Sequence, residues 1–225
     1  MKGRYIVAFT GGSGAPYGVR VVRALLQAGA RVDLLLSPAG KVVLAEETQW
    51  DPQWQGFSPE EVHPLTGWHR PRRLLGDPQR SFWTGHKEGV PGELYLYDVR
   101  DVSADIASGS TPIDAMIIAP CSMSTVAAIA TGQSGNLIER AADVALKEGR
   151  RLVVMPRETP LHALHLENLL TLARLGVKVV PAMPGFYHRP KTIEDLVDFV
   201  ADRLLRAAGA DISLSPRWEG LDGKT

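Results

Sequence analysis

The run Gly11-Gly12-Ser13-Gly14-Ala15-Pro16-Tyr17-Gly18 follows directly on the apolar stretch Tyr5 to Thr10. A strand feeding a glycine-rich turn that opens a helix presents unpaired backbone N–H groups and the positive end of the helix dipole, which suits an anionic phosphate. A dinucleotide fingerprint requires glycine three residues after Gly14, where Tyr17 stands, and an acid after the second strand, where Ser37 stands. NAD is thereby disfavoured. No Lys followed by Ser or Thr closes the turn, so a nucleotide P-loop is disfavoured as well. A mononucleotide such as FMN, or a purely structural strand-to-helix turn, is left.

A second opening of the same geometry lies at Pro120-Cys121-Ser122-Met123-Ser124-Thr125, with hydroxyls in place of glycines. Hydroxyls at a helix start also serve as caps, and Ser37, just before Pro38, reads as an N-cap in the same way. Arg157-Glu158 follows the apolar run Leu152 to Met155, at the carboxyl end of a strand where open α/β sheets keep their ligands. Arg140 and Lys147 are seven residues apart and share a helix face with Asp143 between them, a spacing that fits either an anion site or a surface ladder of ion pairs. Arg203 falls seven residues after Leu196, close to the centre of the apolar stripe Leu196, Phe199, Val200 and Leu204. A guanidinium there needs an anion, either a structural carboxylate or a bound phosphate.

The elements that must position these residues are short apolar runs at Tyr5 to Phe9, Val32 to Leu36, Ala115 to Ala119, Leu152 to Met155 and Val177 to Val180. Helical patterns lie between them: one carries Val19, Val22, Leu25 and Leu26 and stops at Gly29, and others fall near residues 39–47, 122–131, 136–148, 161–175 and 192–208. The alternation predicts a mainly parallel sheet covered on both faces. The stretch from Trp50 to Pro91 breaks the pattern with tryptophans, prolines and the basic cluster His69-Arg70-Pro71-Arg72-Arg73, and reads as a long insertion or loop.

The 225 residues suffice for one α/β domain with an insertion, and 25 Lys+Arg against 25 Asp+Glu leave no basic footprint for nucleic acid or an anionic membrane. One cysteine, Cys121, excludes an internal disulfide and a cysteine-built metal site, and the default compartment is the cytoplasm. No apolar stretch has the length of a signal core or a membrane span.

Read in order with Pro120 to Thr125, Arg140-Ala141-Ala142-Asp143, Lys147-Glu148, Arg157-Glu158-Thr159-Pro160-Leu161 and Phe186-Tyr187-His188-Arg189-Pro190, the run Gly11 to Gly18 resembles the UbiX/Pad1 family of flavin prenyltransferases. The resemblance implies one flavoprotein domain over residues 1–225, with an insertion at about 50–97 and a tail at about 211–225. The fold it implies is a three-layer Rossmann-like or flavodoxin-like α/β sandwich. The reaction it implies is metal-independent: the dimethylallyl group of dimethylallyl monophosphate is joined to N5 and C6 of reduced FMN, and the prenylated FMN serves a UbiD-type decarboxylase.

By the same resemblance, Gly11, Gly12, Ser13, Ser37, Ser122, Met123, Ser124, Thr125 and Arg157 contact FMN, while Arg140, Lys147, Glu158, Tyr187 and Arg203 hold the allylic phosphate. Glu158 is a candidate to protonate the departing phosphate. Glu47, its neighbour Glu46, or the phosphate itself is a candidate base for the proton at C6, and Ser13 is expected to orient the N5 region. Family members form homo-oligomers, often dodecamers. The rival readings are an FMN-dependent cysteine decarboxylase, against which Pro181-Ala182-Met183-Pro184 departs from the Pro-x-Met-Asn stretch of those relatives, a direct aromatic-acid decarboxylase, and a flavin-binding module without turnover.

Three features are set aside as structural. The acidic run Glu194-Asp195-Leu196-Val197-Asp198 opens a helix and complements its dipole, His162 and His165 have no third ligand, and Cys121 has no histidine tied to it by any motif.

Overall fold

Short apolar runs alternating with amphipathic segments dictate a sheet buried on both faces. The computed structural model, which describes residues 3–48, 72–74 and 91–216, has that architecture. Strand β1 (Arg4–Phe9) leads through the glycine loop to α1 (Ala15–Gln27), then to β2 (Arg31–Leu36), α2 (Pro38–Thr48), a short β3 (Arg72–Leu74) and β4 (Glu93–Tyr97). A single 3-10 turn at Asp105–Ala107 precedes β5 (Ala115–Cys121), α3 (Met123–Ala130), α4 (Leu137–Lys147), β6 (Arg151–Pro156), α5 (Ala163–Arg174), β7 (Lys178–Val179) and α6 (Ile193–Ala207).

The spatial order is β3-β4-β2-β1-β5-β6-β7, parallel throughout except for β3, which runs antiparallel to β4 at one edge. From β1 the chain winds outward through β2 and β4, then returns to β5 and winds outward the other way. The crevice at that reversal lies between the carboxyl ends of β1 and β5, where sheets of this kind hold ligands.

Side chains alternate across the sheet. Tyr5, Val7 and Phe9 of β1 enter one apolar layer with α1, α2 and α6, whereas Ile6 and Ala8 enter the opposite layer with α3, α4 and α5. Helix α1 lies close on the sheet because position 18 has no side chain: a Cβ there would stand 2.1 Å from the Ala119 carbonyl oxygen. Asn136 caps α4 by accepting from the N–H groups of Ile138 and Glu139, and Thr192 with Asp195 forms a capping box on α6.

Two expectations are corrected. The stretch set apart at about 50–97 ends in a strand of the sheet, since Glu93–Tyr97 pairs in parallel with β2 from Arg31 to Leu35. Its two tyrosines disguised it: Tyr95 faces the Arg31 guanidinium at 4.2 Å and Tyr97 joins a polar network. Most of Trp50 to Pro91, with the tryptophans and the side chains of the basic cluster, lies outside the described residues. Second, Arg203 is exposed, because the buried stripe of α6 runs through Val197, Val200, Ala201, Leu204 and Leu205 and not through Leu196. The buried charge on α6 is Asp202, which accepts from Arg206 and from the Leu214 N–H at 2.9 Å and so ties residues 211–216 to the helix.

A second buried charge sits in β2. Asp33 is wholly enclosed and accepts from Arg4 Nε at 2.6 Å and from Arg31 Nε at 2.8 Å. Both arginines also donate to the Tyr97 hydroxyl, which in turn donates to Asp105 at 2.9 Å. Three strands are thereby pinned in register by one polar cluster.

Candidate active site

Four strand ends meet around the Gly11 to Gly14 loop. Gly14 adopts a left-handed conformation (φ 111°) as the N-cap of α1, a conformation that glycine takes without strain. Gly11 packs so close to the start of α2 that a Cβ on it would stand 2.8 Å from the Ala39 Cβ. Ser37 ends β2, and its hydroxyl accepts from the Gly40 N–H at 2.9 Å, so it caps α2. Arg157, just past β6, donates through Nε to the Ser13 carbonyl at 3.2 Å.

The N-terminus of α1 already holds an anion. Glu47, reaching over from α2, accepts from the N–H groups of both Gly14 and Ala15 through one carboxylate oxygen, each at 2.8 Å. Of the two neighbouring glutamates, Glu47 faces the loop and Glu46 is exposed. The cradle read from the glycines alone is therefore partly filled from within the protein.

At the opening after β5, Ser122 is the N-cap of α3 and accepts from the Thr125 N–H. Its hydroxyl lies 2.9 Å from that of Ser124 and 3.1 Å from that of Thr125, which gathers three hydroxyls over the first turn of a helix. Met123 beneath them is buried, as is Cys121, whose thiol is pushed far above its ordinary range by burial and stays protonated. Sequence reasoning missed Thr10. This residue is 2 % exposed, and its hydroxyl donates to the Pro120 carbonyl at 3.0 Å while accepting from the Ser122 N–H at 2.7 Å. The signal was a hydroxyl ending an otherwise apolar strand.

The residues expected to hold a phosphate fall into two groups. Tyr187 and Arg203 meet, the guanidinium donating to the phenol at 2.8 Å and lying 5.1 Å over the Phe199 ring. Arg140 and Lys147 lie on α4, across the sheet from α6. Arg140 pairs with Asp143 at 2.8 Å, and Lys147 pairs with Glu148 at the end of α4 that leads into the first residues of β6. A single chain does not bring the three cations Arg140, Lys147 and Arg203 together. Glu158 is exposed and accepts from the N–H of Thr159 at 3.0 Å.

The features set aside have structural work of their own. Asp195 completes the α6 capping box, Asp198 pairs with Arg20 of α1, and His162 caps α5 with its ring stacked on His165 at 3.4 Å between centroids. No group of three or more metal-ligating side chains occurs among the described residues. No helix among them is long and apolar enough to cross a membrane.

The open α/β sheet brings two loop-to-helix openings together at the strand reversal, and residues 1–205 match the family model described as Flavoprotein, which makes the chain a flavoprotein. The flavin prenyltransferase UbiX of Halalkalibacterium halodurans is 45 % identical over 217 residues, covering 96 % of this chain and 94 % of that one. Among solved structures, AnUbiX (PadA1) in complex with FMN and dimethylallyl pyrophosphate aligns with a TM-score of 0.76 at 33 % identity, over 98 % of this chain and 99 % of that one. A dodecameric FMN-dependent UbiX-like decarboxylase from Escherichia coli O157:H7 aligns with the same TM-score at 35 % identity, over 96 % of this chain and 100 % of that one. The chain belongs to the UbiX family of flavin prenyltransferases.

Proposed function

We propose that this protein transfers the dimethylallyl group of dimethylallyl monophosphate to reduced FMN, yielding prenylated FMN for a UbiD-type decarboxylase. The observation that carries the reading is the convergence of four strand ends on the Gly11 to Gly14 loop, opposite the hydroxyl-bearing start of α3. The donor set fits FMN. Ser122, Ser124 and Thr125 offer hydroxyls, and the first turn of α3 offers backbone N–H groups, for its phosphate. Gly11 offers exposed backbone to its ring, with Ser13, Ser37, Met123 and Arg157 around it, and the buried Gly12 lets the loop pack against Pro120.

When bound, reduced FMN supplies the ring atoms N5 and C6 that accept the five-carbon group. The chain supplies placement and charge. Cleavage of the allylic C–O bond leaves negative charge on the phosphate, which Arg203 and the Tyr187 hydroxyl are suited to bind and Glu158 to protonate. Glu47, or the phosphate itself, takes up the proton lost from C6, and Ser13 orients the N5 region. The far-side position of Arg140 and Lys147 supports a site completed between subunits, these two cations coming from neighbouring copies. Two further features support a homo-oligomer: only Leu172 of the twelve residues of α5 is buried while Leu164, Leu166 and Leu170 are exposed, and the E. coli relative is described as dodecameric. A single cysteine, with no partner for an internal disulfide, suits a reducing compartment such as the cytoplasm.

The test is incubation with reduced FMN and dimethylallyl monophosphate under nitrogen, followed by mass spectrometry of the flavin. A gain of one five-carbon unit is expected. Flavin bound but unchanged in mass would instead make the chain a binding module. Parallel reactions with the pyrophosphate measure which ester is preferred.

A further inference from the structure

Thr10 lies just past the last paired residues of the parallel ladder between β1 and β5. The two strands pair from Tyr5 and Ala115 to Ala8 and Ile118. Pro120 carries no N–H, and β5 shifts its register against β6 between Ile118 and Cys121, so the ladder cannot simply continue. The Thr10 N–H and hydroxyl both donate to the Pro120 carbonyl, each at 3.0 Å. The same hydroxyl oxygen accepts from the Ser122 N–H at 2.7 Å, taking the place of the main-chain carbonyl that β1 no longer offers. The hydroxyl's bond to Pro120 is buried and the one it accepts from Ser122 is partly buried, Thr10 itself being 2 % exposed.

The residue on one side of this bond begins the Gly11 to Gly14 loop, and the residue on the other is the N-cap of α3. We infer that the Thr10 hydroxyl is a positioning residue for flavin: it fixes the two halves of the cradle at one separation before the ligand arrives, so that no binding energy is spent on bringing them together. The inference rests on the flavin reading above. A hydroxyl suits the site on chemical grounds, because the Ser122 N–H needs an acceptor and the hydroxyl proton has the Pro120 carbonyl to go to, whereas valine, equal in shape, offers no acceptor.

FMN titrations of wild type, Thr10→Val and Thr10→Ser, followed by quenching of flavin fluorescence and by visible circular dichroism, test the role. Thr10→Val is expected to weaken FMN binding about ten- to a hundredfold and change the flavin dichroism, with Thr10→Ser within about threefold of wild type. Equal binding and dichroism in wild type and Thr10→Val would overturn the role, as would a Thr10→Ser variant as impaired as Thr10→Val. Wild-type protein that binds no FMN would sink the flavin reading itself. If Thr10→Val does not fold, hydrogen exchange at the Ser122 amide of the ligand-free wild type decides: exchange as slow as the β5 core supports the tie, and exchange as fast as an exposed loop overturns it.

Discussion

Arg203 on α6 donates a hydrogen bond of 2.8 Å to the hydroxyl of Tyr187, so the proline-bounded loop and the last long helix meet through a phenol and a guanidinium that both remain open to solvent. The Phe199 ring beneath them, stacked on His188 at 5.1 Å, holds the pair in place. Tyr187→Phe retains the ring packing and removes the hydroxyl. Prenyl transfer is expected to fall about ten- to a hundredfold, the worth of one charge-assisted bond, with FMN affinity unchanged. Product formation under nitrogen and a parallel FMN titration measure both, and an unchanged rate would remove the phenol from the chemistry.

The two candidate carboxylates separate by what they touch. Glu47 is bonded to two amides of the Gly11 to Gly14 loop and its helix, whereas Glu158, among the described residues, bonds the N–H of its neighbour Thr159. Glu158→Gln is therefore expected to bind FMN normally and lose turnover. Glu47→Ala also uncaps α1 and should lower stability by about 1 kcal/mol, a loss that Glu47→Gln partly restores through its remaining acceptor. Unfolding curves alongside turnover divide the two effects, and full turnover in both Gln variants would exclude carboxylates from the reaction.

Removing Asp33 would leave Arg4 and Arg31 converging on one another in a place partly closed to water. Asp33→Ala should cost about 3–5 kcal/mol in urea unfolding, the usual penalty for breaking a buried pair by deleting one member. A loss below about 1 kcal/mol would mean that water replaces the carboxylate.

Acid should weaken the fold through two other groups. Burial alone would raise the Asp105 carboxyl, but the Arg4 and Tyr97 hydrogen bonds outweigh it and hold the group below its ordinary range. The N–H groups of Lys191 and Thr192 lower Asp195. A carboxyl lowered by folding contributes stability above its unfolded value, about 3.9, and loses that contribution as pH falls toward its folded value. Melting temperature is thus expected to decline from about pH 4 downward on account of these groups. Asp195→Asn should flatten part of that decline, and an unaltered profile would discount the cap.

The mainly parallel sheet was legible because β1, β2, β5 and β6 are largely apolar runs separated by helical patterns. Strand β4 was not, since Glu93-Leu94-Tyr95-Leu96-Tyr97 spends its alternate residues on a polar network whose partners, Arg4, Arg31 and Asp105, are distant in sequence. Arg203 was placed on the wrong part of its helix because Phe199 sits at the margin of the buried face, where it also meets the Tyr187 ring, and this pulls a periodicity argument toward Leu196, which is only partly buried. The glycine run was read correctly as a strand-to-helix turn, but no spacing rule could reveal that Glu47 fills its helix end, because that contact joins two helices across a loop. The separation of Arg140 and Lys147 from Arg203 is likewise a matter of handedness: crossovers from β5 go to one face, and α6 returns to the other.

The bare backbone at Gly18 makes α1 and the central strands a single stiff block, because the helix rests on the Ala119 peptide with no room for a methyl group. Alanine at this position would act as a lesion of folding and not of the reaction: the chain would be lost to insolubility before any defect in catalysis could be observed, and low yield with normal specific activity in the surviving fraction would be its mark.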